Sequence, residues 1–427
     1  MEESKRVLII GGGFAGLACA KQLADRPDVT VTLVDRENHH LFQPLLYQVA
    51  TAALAAPDIA RSLRQLMCKA ANVTVLMDEI TGIDPVQKEA TSKYRVYAYD
   101  YLVLAAGAQT SYFGNDDWAQ HTLGLKSLDD AADIRRSVFG ALERAELTDD
   151  VEERKRLMTV AIVGGGPTGV ELAGAYSDLA KRALKTNYRR LNIDDLRVVL
   201  VQSGDRILKP FDNDQSQYTK DYLERRGVEI ILGHRVTGVQ EHTLLFDEAD
   251  PIYAETLIWA AGVGASPLTK MLGVEADRGG RVTTQPDLSI AGQPNIFLAG
   301  DVTAHTDVKG VKVPGLAPAA SQMGKYIGER IAALTSAPGE HPSRPFVYTD
   351  KGMMAIIGKN AAIVKMGSMK LRGLIAWIAW LVIHLLFLIG FRNKLSVLIQ
   401  WAWAYLKDKP GARVFTSRST PPTKARE

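Results

Sequence analysis

Short apolar runs that end in glycine punctuate this chain. Val7-Leu-Ile-Ile10 leads into Gly11-Gly-Gly-Phe-Ala-Gly16, and Val160-Ala-Ile-Val163 leads into Gly164-Gly-Gly-Pro-Thr-Gly169. Each then enters a stretch rich in small and apolar residues, which predicts a buried strand, a tight turn and a helix, twice over. A second strand is predicted after each helix: Val29–Val34, ending at Asp35, and Arg197–Val201, ending at Gln202. The polar stretch Ser177–Leu196 predicts a lengthened helix in the second copy. Tyr101-Leu-Val-Leu-Ala-Ala-Gly107 and Thr256-Leu-Ile-Trp-Ala-Ala-Gly262 read as further strands closing on small-residue turns, each preceded by a hairpin-like region (74–97 and 228–246). Asn295-Ile-Phe-Leu-Ala-Gly-Asp301 is a third such strand, before a Gly/Pro-rich loop at 309–318. These elements predict an α/β architecture in which one domain (1–115 and 286–345) is interrupted by a similar one (155–285), followed by a separate region, 346–427.

The repeated G-x-G-x-x-G gives these halves a chemistry. Gly11 and Gly164 permit the tight turn, Gly13 and Gly166 let the backbone approach a pyrophosphate, and Gly16 and Gly169 let helix and strand pack closely. The helix N-terminus offers unpaired N–H groups to phosphate oxygens. Asp35 stands 19 residues after Gly16, where an acid hydrogen-bonds ribose hydroxyls in Rossmann halves. The second copy has neutral Gln202 at this position. Two dinucleotide sites are therefore predicted.

Composition changes the picture only when divided along the chain. The 427 residues carry 51 Lys+Arg against 48 Asp+Glu, a net +3. Residues 365–427 hold 11 of the cations and two acids, so that tail carries +9, and four of the six tryptophans lie in it. Cys19 and Cys68 are the only cysteines; they form no C-x-x-C pair, disulfide framework or thiolate metal site, which points to a reducing compartment. The opening Met1-Glu-Glu-Ser-Lys-Arg6 lacks the apolar core of a signal peptide, so a cytoplasmic body is expected.

With two fingerprints, two Ala-Ala-Gly turns and Ala299-Gly300-Asp301 in this order, the chain resembles the two-dinucleotide-binding-domain flavoproteins. That resemblance implies FAD in the first half and NAD(P)H in the second, with Asp301 on the flavin ribityl chain. The disulfide reductases of the superfamily need a redox cysteine pair, and sulfide:quinone oxidoreductases need cysteines beyond Cys68; neither is present. His39-His-Leu-Phe-Gln-Pro-Leu-Leu-Tyr-Gln-Val-Ala-Thr51 and Phe346-Val-Tyr-Thr-Asp-Lys-Gly-Met-Met-Ala-Ile-Ile-Gly358 look like type II, non-proton-pumping NADH:quinone oxidoreductases. The resemblance implies one non-covalent FAD, no metal, a homodimer and docking on the membrane.

The candidate residues follow. Gly11, Gly13, Gly16, Asp35, Arg36, Gln43, Pro44, Ala106, Gly107, Gly300 and Asp301 are expected around FAD, and Gly164, Gly166, Gly169, Gln202 and Gly262 around NADH. Glu171 is placed by sequence in the first turn of the second fingerprint helix, where an acid suits the helix dipole; the resemblance implies a part in substrate positioning and proton movement. Lys351 is implied on the quinone side, where a cation stabilises developing negative charge. Of the A-Q-x-A-x-Q pattern of some members only Gln322 remains in Ala317-Pro-Ala-Ala-Ser-Gln322, with a flavin or quinone contact expected. Neutral Gln202 weakens the repulsion that excludes NADPH, with NADH expected as main donor.

The tail has its own pattern. Leu374–Phe391 is an apolar run of 18 residues whose only strongly polar side chain is His384. As one helix it would be about 27 Å long, close to the roughly 30 Å hydrocarbon core. Leu395–Leu406 is amphipathic, with Ser396, Gln400 and Lys407 on one face and Val397, Leu398 and Trp401 opposite, the form of an interfacial helix with tryptophans at headgroup level. The resemblance favours a monotopic tail over a single span. The cations of 365–407 then meet anionic lipid and bring the flavin edge to membrane quinone on the cytoplasmic face. Two other readings stay open: a soluble ferredoxin or rubredoxin reductase, and a non-catalytic flavin-bound interaction protein of the apoptosis-inducing-factor type. The apolar run argues against nucleic acid as partner.

Overall fold

A computed structural model describes residues 4–180, 187–336, 344–407 and 414. The chain forms two compact units: residues 1–41, 60–109 and 263–351, and residues 42–59, 110–262 and 352–427. The turn-and-strand segment after Gly262 thus sorts with the first unit, while Phe42–Ile59 and the C-terminal region sort with the second.

In the first unit six strands lie in the order Ser289–Ile290, Gln293–Leu298, Tyr101–Leu104, Lys5–Ile10, Val29–Asp35 and Val73–Met77, all parallel but for the short antiparallel edge pair. Near-continuous apolar runs suit such strands because both faces are covered. One face carries Leu8, Ile10, Leu102, Leu104, Ile296 and Leu298 into a core with Ile80, Tyr97 and Tyr99. Two helices, Phe14–Leu23 and Ala317–Ser336, pack together so closely that a Cβ on Gly324 would lie 1.9 Å from the Ala15 carbonyl oxygen. The expected 74–97 hairpin is divided: Val73–Met77 joins the parallel sheet, and Ile80–Asp84, Glu89–Ser92 and Val96–Ala98 form a separate antiparallel sheet.

In the second unit four parallel strands lie in the order Val228–Leu232, Arg197–Gln202, Thr159–Val163, Thr256–Trp259. Val228–Leu232 is therefore not half of a hairpin, because its alternate residues are needed beside Arg197–Gln202; the antiparallel meander is Val236–Gln240, Thr243–Phe246 and Ile252–Tyr253. The fingerprint helix is assigned over Pro167–Asp178, and residues 181–186 of the predicted extension lie outside the described residues. A three-stranded antiparallel sheet, Met353–Gly358, Ala361–Met366 and Met369–Gly373, packs on that helix. Gly174 makes this possible, since a Cβ there would meet the Ile357 carbonyl oxygen at 1.8 Å.

The tail corrects two expectations. The apolar run is not one helix: Leu374–Phe387 ends after 14 residues and Phe391–Lys407 begins anew, across a turn in which Gly390 takes φ 91°. Fourteen residues reach about 21 Å, and no helix of the described residues is long and apolar enough to cross a membrane. The second helix also departs from the expectation, because its inner face is mixed: Ser396 and Gln400 turn toward protein beside the buried Val397 and Trp401. Asn393 Nδ2 donates to the carbonyls of Pro57 and Asp58 at 2.9 and 2.8 Å, and Ser396 Oγ and Gln400 Nε2 each reach the Asp58 carboxylate at 2.7 Å. Trp401 is 4% exposed and its indole N–H donates to Gln48 Oε1 at 2.7 Å. The polar stripe faces protein because a buried carboxylate there needs donors. The Lys407 side chain and the tail beyond it, except Val414, lie outside the described residues.

Gly324→Ala is expected to cost about 1–3 kcal/mol by overpacking the two helices of the first unit. Denaturant unfolding checks this; an unchanged midpoint would contradict so close an approach.

Candidate functional site

The two fingerprints repeat one another in backbone geometry at their turns. Ile10 pairs with Val34 and Val163 with Val201 in the parallel registers, so Gly11 and Gly164 leave their strands at equivalent points. Both take the left-handed conformation (φ 106° and 116°), and a Cβ on either would run into the backbone of the next strand, at Ala105 or Ala260. Gly16 and Gly169 pass 1.8 and 1.9 Å, measured to a would-be Cβ, from the carbonyl oxygens of Gly11 and Gly164. Gly13 and Gly166 differ from these: a Cβ on either meets no atom within 4 Å. The open space lies where each helix, Phe14–Leu23 and Pro167–Asp178, exposes its first N–H groups, a cradle for phosphate oxygens.

Around the first fingerprint the polar groups fit a flavin dinucleotide. Asp35 accepts the Gly12 N–H on Oδ2 (2.5 Å) and the Glu37 N–H on Oδ1 (2.7 Å), leaving lone pairs for ribose hydroxyls. Arg36 beside it is exposed. Gly107 and Gly300 both have positive φ, Ala106 is part-buried, and the half-buried Asp301 carboxylate accepts no hydrogen bond among the described residues. His40, which the sequence reading left without a role, is 2% exposed beneath the glycine turn. Its Nδ1 bonds the Gly12 carbonyl at 3.0 Å, so Nδ1 carries the proton, and Nε2 is buried without a partner among the described residues. Burial lowers its pKa and keeps the ring neutral. No spacing signal marks His40; only its position under Gly12 does.

Gln322 is engaged differently from the expectation. Its Nε2 donates to the carbonyls of Thr349 (3.0 Å) and Pro318 (3.2 Å), and its Oε1 accepts the Thr349 N–H at 3.0 Å. The amide thus clamps the segment two residues before Lys351. Asp307 Oδ2 accepts the Tyr348 N–H at 3.2 Å and pins the same segment. Lys351 itself is exposed.

In the second unit Gln43 is exposed, its amide donating to the Lys126 carbonyl at 3.4 Å, and Pro44 is part-buried; both sort away from the glycines of the first fingerprint. Gly262 is crowded by Phe113, whose ring would lie 2.4 Å from a Cβ. Glu171 is not in the first helical turn: the helix starts at Pro167 and that turn holds no acid. A dipole contact at the helix start is therefore not its role. The side chain is half-buried, and desolvation pushes its pKa up to about 8, against the Ile356 N–H, which favours the charged form. A carboxyl titrating near neutrality can both take and give a proton. Among the described residues no group of His, Cys, Asp and Glu is arranged to hold a metal ion. Cys19 is fully buried, which pushes its thiol pKa up and leaves it inert, and Cys68 is exposed and unpaired.

Gly13→Ala is expected to fold with an unchanged thermal midpoint as apoprotein yet to lose bound FAD on gel filtration, because its methyl fills only the cradle; full retention of flavin would refute that assignment. For Glu171, the folded chain keeps a proton that the unfolded chain releases between the ordinary 4.5 and about 8. Wild-type stability then falls as pH rises through that window and levels off above it. Glu171→Gln lacks this titration, so its stability relative to wild type should climb from pH 4.5 to 8; thermal midpoints of both chains across that range test the sign.

Residues 5–324 match the family model described as pyridine nucleotide-disulphide oxidoreductase. The type II NADH:quinone oxidoreductase Ndh of Mycobacterium tuberculosis is 41% identical over 425 residues, covering 97% of this chain and 90% of the relative, and NdhA of the same organism is 40% identical with the same coverage. The internal alternative NAD(P)H-ubiquinone oxidoreductase A1 of Arabidopsis thaliana mitochondria is 29% identical, covering 96% of this chain and 86% of the relative. Among solved structures, NDH2 from Plasmodium falciparum in complex with NADH shares the fold at TM-score 0.88 and 21% identity, covering 97% of this chain and all of that one. The paired glycine turns, their open cradles and these relatives together place the chain in the pyridine nucleotide-disulphide oxidoreductase family, among the type II NADH:quinone oxidoreductases.

Proposed function

We propose that this chain is a respiratory flavoenzyme that passes electrons from NADH through FAD to membrane quinone without pumping protons, working as a homodimer docked monotopically on the cytoplasmic face of the membrane. FAD, held in the first unit, supplies the two-electron chemistry that joins hydride removal from nicotinamide to quinone reduction. The protein's own residues bind, orient and move protons. The Phe14–Leu23 helix start and the open backbone at Gly13 hold the flavin pyrophosphate, Asp35 the adenosine ribose and Asp301 the ribityl hydroxyls. The equivalent turn at Gly164–Gly169 holds the nicotinamide nucleotide. Glu171, neutral and ionised in comparable amounts near pH 8, supplies or receives a proton as charge moves. Lys351, its backbone fixed through Gln322 and Asp307, places a cation where negative charge develops.

The observation that carries the quinone side is the outward face of the two tail helices. Leu374, Ile375, Ile378, Val382, Leu386 and Phe387 are exposed on the first, and Phe391, Leu395, Leu398, Ile399 and Trp403 on the second, Leu386 by 66% and Phe391 by 82%. With the polar stripe spent on Asp58, this pair presents an apolar surface flanked along the chain by Arg372, Arg392 and Lys394, which suits an anionic bilayer, whereas Lys365 and Lys370 are engaged by Asp212. A soluble ferredoxin or rubredoxin reductase has no use for such a face. On its inner side Trp380 stacks with His384 at 4.0 Å and meets Tyr47 edge-on, an aromatic lining on the side toward Phe42–Ile59.

Purified in detergent, the protein is expected to show a flavin spectrum that bleaches with NADH and to reduce a short-chain ubiquinone or menaquinone analogue; failure of both analogues while a soluble acceptor is reduced would overturn the quinone assignment. Ile378→Glu with Leu386→Glu should abolish co-flotation with vesicles containing anionic lipid, while NADH oxidation by the soluble acceptor persists within two-fold. Flotation equal to wild type would show that this face does not meet the bilayer.

A further inference from the structure

One aromatic side chain of the second unit is held at the surface by a strained backbone. Phe113 takes φ 56°, a left-handed conformation that bulky residues rarely adopt, and Gly114 follows at φ 93°. The ring is 67% exposed, so no core packing compensates for that conformation. What holds it is the base of the loop. The Ser111 N–H donates to the Gly262 carbonyl at 3.1 Å, and the Trp259 indole N–H donates to the Ser111 carbonyl at 2.9 Å. Tyr112 packs its buried ring against Trp259, with centroids 5.5 Å apart, and its carbonyl accepts the backbone N–H and the Nδ2 of Asn115 at 3.1 and 3.2 Å. Beyond Phe113, Trp118 meets the same Trp259 edge-on at 5.3 Å. The loop is thus tied to the strand Thr256–Trp259 before and after Phe113. Strain imposed in this way on an exposed residue is characteristic of ligand-binding positions.

The ring is aimed at the end of that strand. A Cβ on Gly262 would lie 2.4 Å from Phe113 Cζ and 3.0 and 3.1 Å from its two Cε atoms. Near-equal distances to the two sides mean that the ring arrives tip first, which leaves both faces free. The strand order then locates this point relative to the fingerprint. Thr256–Trp259 flanks Thr159–Val163 on the side opposite Arg197–Gln202, and its Ala-Ala-Gly turn abuts the glycine turn, since a Cβ on Gly164 would lie 2.6 Å from the Ala260 carbonyl oxygen. A dinucleotide on a Rossmann half lies across the carboxyl ends of the strands where their order reverses, with its adenosine ribose at the end of the second strand and its pyrophosphate at the helix start. In this unit the second strand ends at Gln202, whose Oε1 accepts the Gly165 N–H at 2.8 Å, and the helix starts after Gly166. The other half of the ligand must extend over Ala260–Gly262, where Phe113 stands.

We propose that one face of Phe113 packs against the nicotinamide ring of the bound nucleotide and holds it over Gly262. The inference rests on the reading of the second unit as the nicotinamide nucleotide domain. A phenyl ring has a negative face, which attracts the electron-poor pyridinium of the oxidised nucleotide more strongly than the neutral dihydropyridine of the reduced one. The face is exposed before binding and its loop is already fixed, so contact removes apolar surface from water at little cost in ordering. Phe113 therefore recognises the half of the ligand that the glycine fingerprint does not reach.

Calorimetric titration of full-length, FAD-loaded protein in detergent with NAD⁺ and with ADP-ribose, which lacks only the nicotinamide, tests this. Phe113→Ala is expected to weaken NAD⁺ about five-fold and ADP-ribose less than about two-fold, the range of one aromatic stacking contact. Phe113→Leu keeps bulk over Gly262 without the π face and should show the same split, while Phe113→Tyr should hold both affinities within about two-fold of wild type. The KM for NADH should rise in the alanine and leucine chains and stay near wild type in the tyrosine chain. An equal loss of both ligands, or an unchanged affinity for NAD⁺ in the alanine and leucine chains, overturns the contact and leaves the nucleotide domain standing. Binding of neither ligand by wild type overturns the nucleotide reading itself.

Discussion

Each fingerprint turns on one hydrogen bond, from the N–H of its middle glycine to the side chain that ends the neighbouring strand. The bond ties the glycine turn to the sheet, and the turn aims a helix N-terminus at the open backbone of Gly13 or Gly166. Both open cradles depend on that alignment. The same bond consumes part of the strand-end residue, so what the residue offers a ligand is what the glycine leaves over. Asp35 has an acceptor left and Gln202 a donor.

A comparable economy governs the tail. The Asp58 carboxylate is buried and takes hydrogen bonds from Ser396 and Gln400 besides the Ala55 N–H. Leaving it unpaired in such a place would be costly, so the second tail helix turns its polar stripe toward protein. Val397 and Trp401 are buried beside that stripe, while Phe391, Leu395, Leu398, Ile399 and Trp403 are left exposed, as are Leu374, Ile375, Ile378, Val382, Leu386 and Phe387 of the preceding helix. The break at Leu388–Gly390 keeps both helices short, which suits lying along a surface.

Glu171 shows how packing sets chemistry without changing sequence. The strand Met353–Gly358 lies on its helix because Gly174 lets the Ile357 carbonyl approach, which places the Ile356 backbone beside Glu171 and partly desolvates its carboxyl. The titration is moved from the ordinary carboxylate range to near neutrality by desolvation alone. Gln322 illustrates the converse, since an amide expected to meet a ligand is held on both its ends by backbone groups of Pro318 and Thr349.

What the sequence by itself determined is the local backbone: apolar runs, glycine spacings and strand ends specify both dinucleotide folds, because a buried parallel strand, a turn at positive φ and a close helix approach each leave a mark within a few residues. It also marked the tail as apolar, basic and rich in tryptophan. Only the tertiary structure decided how that tail is oriented, which strands of the hairpin-like regions join the parallel sheets, and that His40 lies beneath the first glycine turn. These depend on partners far away in the chain, such as Asp58 for Ser396, or on the freedom of a turn. A side chain's charge and the direction of its free lone pair or N–H are set by whatever neighbour the fold supplies, and no periodicity along the chain records that neighbour.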